Sequence, residues 1–331
     1  MITVRSPYRV SFFGGGTDYH TWYQEHGGCV LSTSIDKYSY ITIKKQNPFF
    51  DYRHRIIWRE IEEIETLNKI RHPIVREVYR KYNFDKYFTE LNHNGDLPGR
   101  SGIGSSSAFA CAIITAIKTM ENIAYNKYDI AKEAIYIERE VLGEAVGVQD
   151  QIASAFGGFN KVEINKDGTF VVKPIQRNHI QELESHLLMF FTGIQRNATD
   201  IAKMQIETSA KQKELELMEM MEITQGGEKI MLADKFDYKL FGELLHRSWL
   251  LKRGLTTKIT NNFIDEIYNI AIANGAIGGK LLGAGSGGFV LVFAEPKFHE
   301  KIRNSLSNLM EIPFKFETQG SSVLYYDKSS I

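Results

Sequence analysis

The chain has 331 residues, in which 40 lysines and arginines are balanced by 40 aspartates and glutamates. A chain of this length can bury a substantial core and is long enough for two domains. The zero net charge excludes a global electrostatic field that would attract nucleic acid or an anionic membrane, so we expect neither as a partner. Any anion that the protein binds must therefore be held at a local site.

Two cysteines and the lack of a targeting segment indicate the compartment. Cys29 and Cys111 lie in apolar surroundings and are too few for a disulfide framework or a thiolate metal cluster. No basic stretch followed by a short apolar segment starts the chain, and no apolar run reaches the length that spans a membrane. We expect two reduced core cysteines in a cytoplasmic protein.

The hydrophobic periodicity of the first half of the chain predicts a unit of mixed helices and strands. Strands are predicted at Val4 to Phe13, Val30 to Ile43 and Phe170 to Ile175. Helices are predicted at Ile61 to Tyr82, Ala108 to Met120 and Ile130 to Ala145. The first 180 residues therefore contain both helices and strands, without an internal repeat.

The second half begins with a new strand at Leu187 to Phe191, and we place the domain change just before it, near Gln176 to Ser185. This divides the chain into domains of residues 1–180 and 181–331. The helices predicted here are Ala198 to about Met221, Phe236 to Arg253, Ile259 to Ala273 and Lys297 to Met310. The strands predicted here are Phe289 to Phe293, Phe314 to Phe316 and Val323 to Tyr325. The first half is thus predicted to be an α+β unit, and the helices interleaved with few strands suggest an α/β sandwich.

The most informative segment is Leu97 to Ala108, where three glycines and four serines lead directly into an apolar helix. Glycines let backbone N–H groups converge on an anion, and the first N–H groups of a helix carry partial positive charge toward it. The segment lacks the Gly-Lys-Ser/Thr ending of a Walker loop and the glycine spacing of a dinucleotide site. Taken alone, it fits a polyphosphate site and an ordinary capped turn equally well.

Two further glycine-rich segments favour a ligand site over three unrelated turns. Near the N-terminus, the strand that ends at Phe13 leads into Gly14 to Asp18. Near the C-terminus, seven glycines between Gly275 and Gly288 precede the buried strand Phe289 to Phe293. Each segment lies beside a predicted strand, so the three loops can meet at one end of the fold.

These three segments, in this order, resemble the signature segments of the GHMP kinases, the superfamily of galactokinase, homoserine kinase, mevalonate kinase and phosphomevalonate kinase. The matching segments are Pro7 to Asp18, Leu97 to Ala108 and Lys280 to Gly288, and the resemblance spans nearly the whole chain. It implies an α+β fold of two domains, a ribosomal-S5-like N-terminal domain and a ferredoxin-like C-terminal domain, with the site between them. It also implies ATP and Mg²⁺ as cofactors.

Within the superfamily, three features resemble most the D-glycero-D-manno-heptose 7-phosphate kinases, with fucokinase domains next. These are the ending Gly14 to Asp18, the segment Val148 to Gln151 and the arginine-rich insert Tyr52 to Tyr79. The resemblance implies phosphorylation of the anomeric C1 hydroxyl of heptose 7-phosphate, giving the 1,7-bisphosphate for nucleotide-activated heptose synthesis. The alternatives are a kinase for a free sugar such as fucose and a catalytically idle nucleotide- or sugar-binding regulator. The sequence is compatible with a homodimer.

One carboxylate is expected to face the core. A turn of about 100° per residue puts Glu138 in the middle of the apolar stripe of the helix Ile130 to Ala145. The glutamates expected on the opposite, solvated face are Glu133, Glu140 and Glu144. A buried carboxylate must be paired or bind a cation, so an arginine partner and a metal ion remain alternatives. The resemblance favours Mg²⁺, with the hydroxyl of Ser106 as the second ligand; Ser106 is otherwise a helix cap.

The resemblance implies that Asp150 is the catalytic aspartate, which accepts or orients the acceptor hydroxyl, with Arg9 as its cationic partner. An adjacent cation favours the ionised carboxylate and also offsets charge on the transferred phosphoryl group. From the residues alone, Asp150 is equally suited to cap the short helix Gln151 to Phe156.

The resemblance also implies two sets of binding residues. Those expected to bind the ATP phosphates are Pro98, Gly99, Arg100, Ser101, Gly102, Gly104, Ser105, Ser106 and Ser107. Arg100 either contacts a phosphate or is only a surface charge. Those expected to bind the sugar substrate are Gly15, Gly16, Thr17, Asp18, Arg196, Lys280, Gly283, Gly285 and Ser286. Asp18 either presents two oxygens to vicinal hydroxyls or stabilises its own turn.

Other details of the site stay open at this point. Galactokinases carry an acidic residue where this chain has Gly15, so we expect a different or bulkier sugar. If that sugar carries a phosphate, the cations that can bind it are Arg196, Lys252, Arg253 and Lys280. Tyr52 and Trp58 in the insert either flank the adenine or belong to the core.

Overall fold

The computed structural model describes residues 1–176, 179–195 and 213–328. Its strands are β1 (Ile2–Phe13), β2 (Gly28–Gln46), β3 (His54–Ile57), β4 (Ile61–Ile64), β5 (Phe88–Gly95), β6 (Phe159–Ile164), β7 (Phe170–Pro174), β8 (Leu187–Phe191), β9 (Ala276–Leu281), β10 (Phe289–Ala294), β11 (Met310–Glu311), β12 (Phe316–Glu317) and β13 (Ser322–Tyr326). Its α-helices are α1 (His20–His26), α2 (Pro73–Lys81), α3 (Ser105–Met120), α4 (Lys127–Ile135), α5 (Gln149–Phe156), α6 (His179–Ser185), α7 (Glu214–Leu232), α8 (Tyr238–Arg253), α9 (Asn262–Ala273) and α10 (His299–Ser305). This mixture of helices and sheets confirms the predicted α+β class.

The first sheet has nine strands and is built around β2. The main order is β13-β1-β2-β5-β3-β4, and β6 and β12 also pair with β2, while β7 pairs with β6. β2 can pair with several strands because it is 19 residues long: its first residues pair with β6, its middle with β1 and its end with β5. α3 packs against β1 and β2. Every residue of α3 from Ser107 to Ile117 is buried, so the glycine-rich loop before it is held in a fixed place.

The second sheet is antiparallel, with the order β11-β8-β10-β9. α8 and α9 pack on β9, and α7 packs on α8 and on β1 and β2, so a helical layer joins the two sheets. Phe241 of α8 contacts Phe13 of β1 at a ring distance of 5.1 Å and Phe293 of β10 at 5.6 Å. Phe241 therefore joins the end of β1 to the second sheet.

Three predicted helices are shorter than expected. In the segment Ile61 to Tyr82, Ile61–Ile64 is instead strand β4, paired with β3, and Pro73 begins α2 because proline suits the first helical turn. The helix predicted to reach Ala145 becomes a π-helix at Tyr136–Val141 and ends before Gly143, whose φ is +64°. Of the segment Lys297 to Met310, only α10 is α-helical, and Met310 lies in β11.

The long charged helix is described only in part. α7 covers the end of the segment predicted from Ala198 to Met221 and continues to Leu232. The beginning of that segment lies outside the described residues. None of the described helices is both long and apolar enough to cross a membrane.

The last strands return to the first sheet. β13 pairs with β1, and β12 pairs with β2 at Ile35 and Ser34. The segment from β12 to β13 therefore belongs to the same sheet as the N-terminal strands, although it follows the second sheet in the chain. The division into residues 1–180 and 181–331 stays a prediction, and this pairing crosses it.

Candidate functional site

Arg9 and Asp150 form a bidentate ion pair between β1 and α5. Arg9 Nε donates to Asp150 Oδ1 and Arg9 Nη2 donates to Oδ2, each at 2.7 Å. Arg9 is 3% exposed, and its Nη1 donates to the carbonyl of Gly102 at 2.7 Å. α5 begins after Val148 without a side-chain cap, so the alternative that Asp150 caps this helix is wrong. The guanidinium instead ties Asp150 to the glycine-rich loop.

The glycine-rich loop ends at Gly104, which is the N-cap of α3. Its φ of +74° is a left-handed conformation that glycine adopts without strain. A Cβ atom on Gly104 would lie 3.3 Å from Asp150 Oδ2 and 3.4 Å from Arg9 Cγ. This close approach brings the N-terminus of α3 beside the ion pair. The first N–H groups of a helix have no partner within the helix and can bind an anion.

The side chains of the loop have different environments. Ser101 is buried and donates to the carbonyl of Pro98 at 2.5 Å, and Ser105 accepts a hydrogen bond from the N–H of Arg100 at 3.3 Å. Ser106 lies in the first turn of α3 and is exposed. The N-cap position is occupied by Gly104, so Ser106 is not the helix cap. Gly99 has open space around it. The loop therefore presents its backbone and the side chains of Arg100 and Ser106 to the surface.

Glu138 lies inside the core, in the π-helix, and is fully buried. Its Oε2 accepts hydrogen bonds from Ser107 Oγ at 2.7 Å and from Gln151 Nε2 at 2.6 Å. Its Oε1 is buried without a partner among the described residues. Burial raises the pKa of Glu138 to about 7. No arginine or lysine of the described chain forms an ion pair with it, so the arginine alternative has no support.

Glu133 is not on a solvated face as expected. It is 9% exposed and accepts hydrogen bonds or ion pairs from Tyr82 Oη at 2.7 Å, Lys81 Nζ at 3.0 Å and Lys118 Nζ at 3.0 Å. Three donors offset the cost of removing the carboxylate from water, and although burial opposes them, they lower its pKa. Glu140 is 53% exposed, as expected, whereas Glu144 is half-buried.

The first glycine loop places Asp18 next to α5. Asp18 is 2% exposed; its Oδ1 accepts from the N–H of Gly16 at 2.9 Å, and its Oδ2 accepts from the N–H of Gln149 at 3.4 Å. Burial raises the pKa of Asp18, and the negative charge of Asp150 raises it further. The hydroxyl of Thr17 lies 2.8 Å from the carbonyl of Gly14 and 2.9 Å from that of Cys29, so this residue holds the loop together.

The third glycine loop packs on the other two. A Cβ atom on Gly102 would lie 2.4 Å from the carbonyl oxygen of Leu282, so the second and third loops touch through their backbones at Gly102 and Gly283. Gly285 lies against Ile259 in the same way. Ser286 donates its N–H to the carbonyl of Ile259 at 2.7 Å and its hydroxyl to that of Lys258, so it is used for packing within this loop.

The cations expected to bind a substrate phosphate differ in burial and in their partners. Lys280 is 2% exposed and donates to the carbonyl of Phe12 at 3.0 Å. Lys252 is 6% exposed and donates to the carbonyl of Gly283 at 2.8 Å. Burial lowers the pKa of Lys280, and the charges of Lys252 and Arg9 lower it further. Arg253 pairs with Asp265 at 2.8 Å, and Arg196 lies outside the described residues.

The aromatic residues of the insert contact other aromatic rings. Trp58 meets His72 at 4.7 Å between ring centres, and His72 stacks on Phe109 of α3 at 4.4 Å. Trp58 also donates its indole N–H to Glu62 at 2.9 Å. Tyr52 stacks on Phe50 at 5.2 Å. Trp58 therefore packs against the core through His72, whereas Tyr52 stacks on a ring of its own segment.

Some residues around the site have no sequence signal of their own. Ser107 and Gln151 hold Glu138 but lie in segments where several polar residues are equally placed. Ser11 and Gln149 approach Gly15, with Ser11 Oγ 3.6 Å and Gln149 Nε2 3.4 Å from the position of a Cβ atom there. The alternation of β1 places Ser11 on the same strand face as Arg9, and this is the one pattern that identifies it.

Comparison with known protein families gives two matches. The model described as the GHMP kinases N terminal domain matches residues 68–158. The model described as GHMP kinases C terminal matches residues 231–312. The first match contains the glycine-rich loop, Glu138 and Asp150, and the second contains the third glycine loop.

Individual proteins are similar over nearly the whole chain. A D-glycero-alpha-D-manno-heptose 7-phosphate kinase of Campylobacter jejuni is 34% identical over 308 residues, which cover 89% of this chain and 90% of that protein. A galactokinase of Thermotoga neapolitana is 24% identical over 96% of both chains. The crystal structure of a D-glycero-D-manno-heptose 1-phosphate kinase from Bacteroides thetaiotaomicron superposes with a TM-score of 0.81 at 23% identity, covering 99% of this chain and 100% of that chain. This last likeness shows a shared fold.

Proposed function

Because the chain belongs to the GHMP kinases and is a sugar kinase that transfers phosphate to a hydroxyl group, we propose that its acceptor is D-glycero-D-manno-heptose 7-phosphate. ATP is the phosphate donor, as in other kinases of the family. The anomeric C1 hydroxyl receives the phosphate, and the product is the 1,7-bisphosphate used for nucleotide-activated heptose synthesis. The name of the relative that is 34% identical supports this choice of substrate.

The ion pair of Arg9 and Asp150 is the observation that carries the proposed chemistry. Asp150 orients the acceptor hydroxyl and accepts its proton, and the guanidinium of Arg9 holds the carboxylate in position through two hydrogen bonds. An anomeric hydroxyl is more acidic than an ordinary alcohol, so orientation by Asp150 supplies much of the effect. Since Arg9 also donates to Gly102, it brings the acceptor side of the site into contact with the loop proposed to hold the ATP phosphates.

Glu138 and Ser106 are the residues proposed to hold Mg²⁺. The unpartnered Oε1 of Glu138 fits this role, because a buried carboxylate oxygen without a donor is compensated by a cation. The described residues contain no cluster of three acidic, histidine or cysteine side chains that could hold a metal by themselves. The remaining ligands must come from ATP and water, which is usual for Mg²⁺. When bound, the ion neutralises charge on the phosphates.

The test is ATP consumption by the purified protein with a panel of acceptors: heptose 7-phosphate, the same heptose without phosphate, fucose, galactose and mevalonate. We expect the highest kcat/KM for heptose 7-phosphate, and phosphorus NMR of the product should show a new anomeric phosphate. Higher kcat/KM for fucose or for the free heptose would overturn the proposed substrate. ATP binding without turnover of any acceptor would support the idle regulator instead.

A further inference from the structure

Two hydrogen-bond donors to Glu138 meet the same carboxylate oxygen. Ser107 Oγ and Gln151 Nε2 donate to Oε2 at 2.7 Å and 2.6 Å, whereas Oε1 is buried without a hydrogen-bond partner among the described residues. All three side chains are shielded from solvent, with Glu138 and Gln151 0% exposed and Ser107 3% exposed. The surroundings of the carboxylate are therefore asymmetric: one oxygen has two donors, and the other has none in the described chain.

The amide oxygen of Gln151 is a second acceptor of this kind. It is also buried without a partner among the described residues, although the amide nitrogen of the same side chain donates to Glu138. Reversing the amide would bring its oxygen against Oε2 of Glu138, and an ionised carboxylate can only accept hydrogen bonds. Two neighbouring oxygens without donors favour a hydrated cation, because the ion pairs with the carboxylate and its water molecules donate hydrogen bonds.

The two donors belong to the helices that carry the other parts of the proposed site. Ser107 lies in the first turn of α3, directly after the glycine-rich loop, and Gln151 follows Asp150 in α5. α3 and α5 also pack against each other. A single oxygen of Glu138 therefore ties the start of α3 to α5, and the direction of the carboxylate depends on both helices.

We propose that Gln151 and Ser107 are positioning residues for Mg²⁺, which hold Oε2 of Glu138 so that Oε1 stays free to bind the ion. Hydrogen bonds from neighbouring side chains orient the groups that bind metals in this way. Without either donor the carboxylate gains rotational freedom, which metal binding must then remove. The inference rests on the proposed function, because it needs Glu138 to hold Mg²⁺.

The test measures how much Mg²⁺ strengthens nucleotide binding, without any turnover. Calorimetric titration gives the Kd of a non-hydrolysable ATP analogue with a chelator and with excess Mg²⁺, and the ratio of the first Kd to the second reports the contribution of the metal. Gln151→Met keeps a side chain of similar length but removes one donor, and Ser107→Ala removes the other. The ratio should fall by roughly 10-fold or more in each variant, while the Kd with the chelator changes little.

Ser154→Ala is the matched control. Ser154 lies in the same helix as Gln151 and is 0% exposed, but it donates to the carbonyl of Pro7 at 2.9 Å. We expect it to lower Tm about as much as Gln151→Met, since each variant loses a buried hydrogen bond, and to leave the ratio unchanged. An equal fall of the ratio in Ser154→Ala would show that altered packing explains the effect, and would overturn the proposal.

Glu138→Gln separates this inference from the proposed function. If the ratio falls in Glu138→Gln but in neither Gln151→Met nor Ser107→Ala, Glu138 holds the ion without help from these neighbours and the inference is wrong. If the ratio does not fall in Glu138→Gln, the proposed metal site fails and the inference fails with it. The choice of substrate does not depend on this ratio, because the panel of acceptors tests it independently.

Discussion

At the scale of single residues, Asp150 differs from the other acidic groups of the site because its charge is fully paired. Asn at this position keeps the shape of the side chain but removes the proton acceptor and the partner of a buried guanidinium. We expect Asp150→Asn to lower kcat by roughly 10²- to 10⁴-fold with little change in the Kd for ATP. Turnover under saturating substrates and calorimetric titration of ATP give these two quantities.

The melting temperature of the same variant separates catalysis from stability. Loss of one partner of the Arg9 ion pair leaves a buried charge, so a lower Tm is expected as well. Near-normal kcat in a variant with a lowered Tm would remove Asp150 from the mechanism and leave it a structural role.

Glu138 gives a prediction for pH. Its pKa is raised from 4.5 to about 7 by burial, so between these pH values the folded protein holds a proton that the unfolded chain has released. The unfolding free energy must therefore fall as the pH rises through this window, by on the order of 3 kcal/mol for this group. Glu138→Gln cannot titrate, so its unfolding free energy should fall less. Urea denaturation from pH 4 to 8 in the presence of a chelator measures both curves.

The matched control for this prediction is Glu140→Gln, because Glu140 lies in the same π-helix but is 53% exposed. Its curve should follow that of the unmodified protein. Mg²⁺ with a nucleotide should restore stability above pH 7 in the unmodified protein and not in Glu138→Gln. Identical pH dependence in all three proteins would contradict the buried, protonated state of Glu138.

At the scale of elements, the glycine-rich loop depends on backbone approach. Gly104→Val places a branched side chain at a φ of +74°, and its Cβ lies within 3.4 Å of both Asp150 and Arg9. We expect ATP binding to weaken by at least about 10-fold. Gly143→Val is the control, because φ is +64° there and nothing lies within 4 Å of its Cβ. The control should share the backbone strain and keep its ATP affinity; equal affinities in both variants would argue against the phosphate loop.

Elements with strong local patterns were predicted well, and those shaped by distant contacts were not. The apolar run of α3 and the alternation of β1 depend only on nearby residues, so both follow from periodicity. Strand β4 is stabilised by its pairing with β3. The sequence pattern within Ile61–Ile64 does not reveal this pairing. The burial of Glu133 depends in the same way on two lysines from other helices, Lys81 and Lys118.

At the scale of the whole molecule, the fold class follows from the family resemblance that the three glycine-rich segments carry, but the sheet membership of the chain end does not. Residues 310–328 contain short strands with little periodicity, and their partners are more than 280 residues away in the case of β1 and β2. The site shows the same division. The residues in the motifs are found from sequence, whereas Lys252 and Gln149 are brought to Gly15 only by the packing of α5 and α8.

The return of the C-terminal segment to the first sheet gives the last prediction. Gly320 lies between β12 and β13, and a Cβ atom there would be 2.0 Å from the carbonyl oxygen of Ala155 in α5. The backbone of α5 and that of the segment between β12 and β13 cannot shift apart easily. Gly320→Ala should therefore lower the unfolding free energy by roughly 1–3 kcal/mol, as overpacking does in cores. Gly99→Ala is the control, because nothing lies within 4 Å of the position of its Cβ atom. Alanine also reduces the conformational freedom of the unfolded chain, so the unfolding free energy of this variant should equal or slightly exceed that of the unmodified protein. Urea denaturation measures both, and equal stability of the two variants would show that the terminal segment is not clamped against α5.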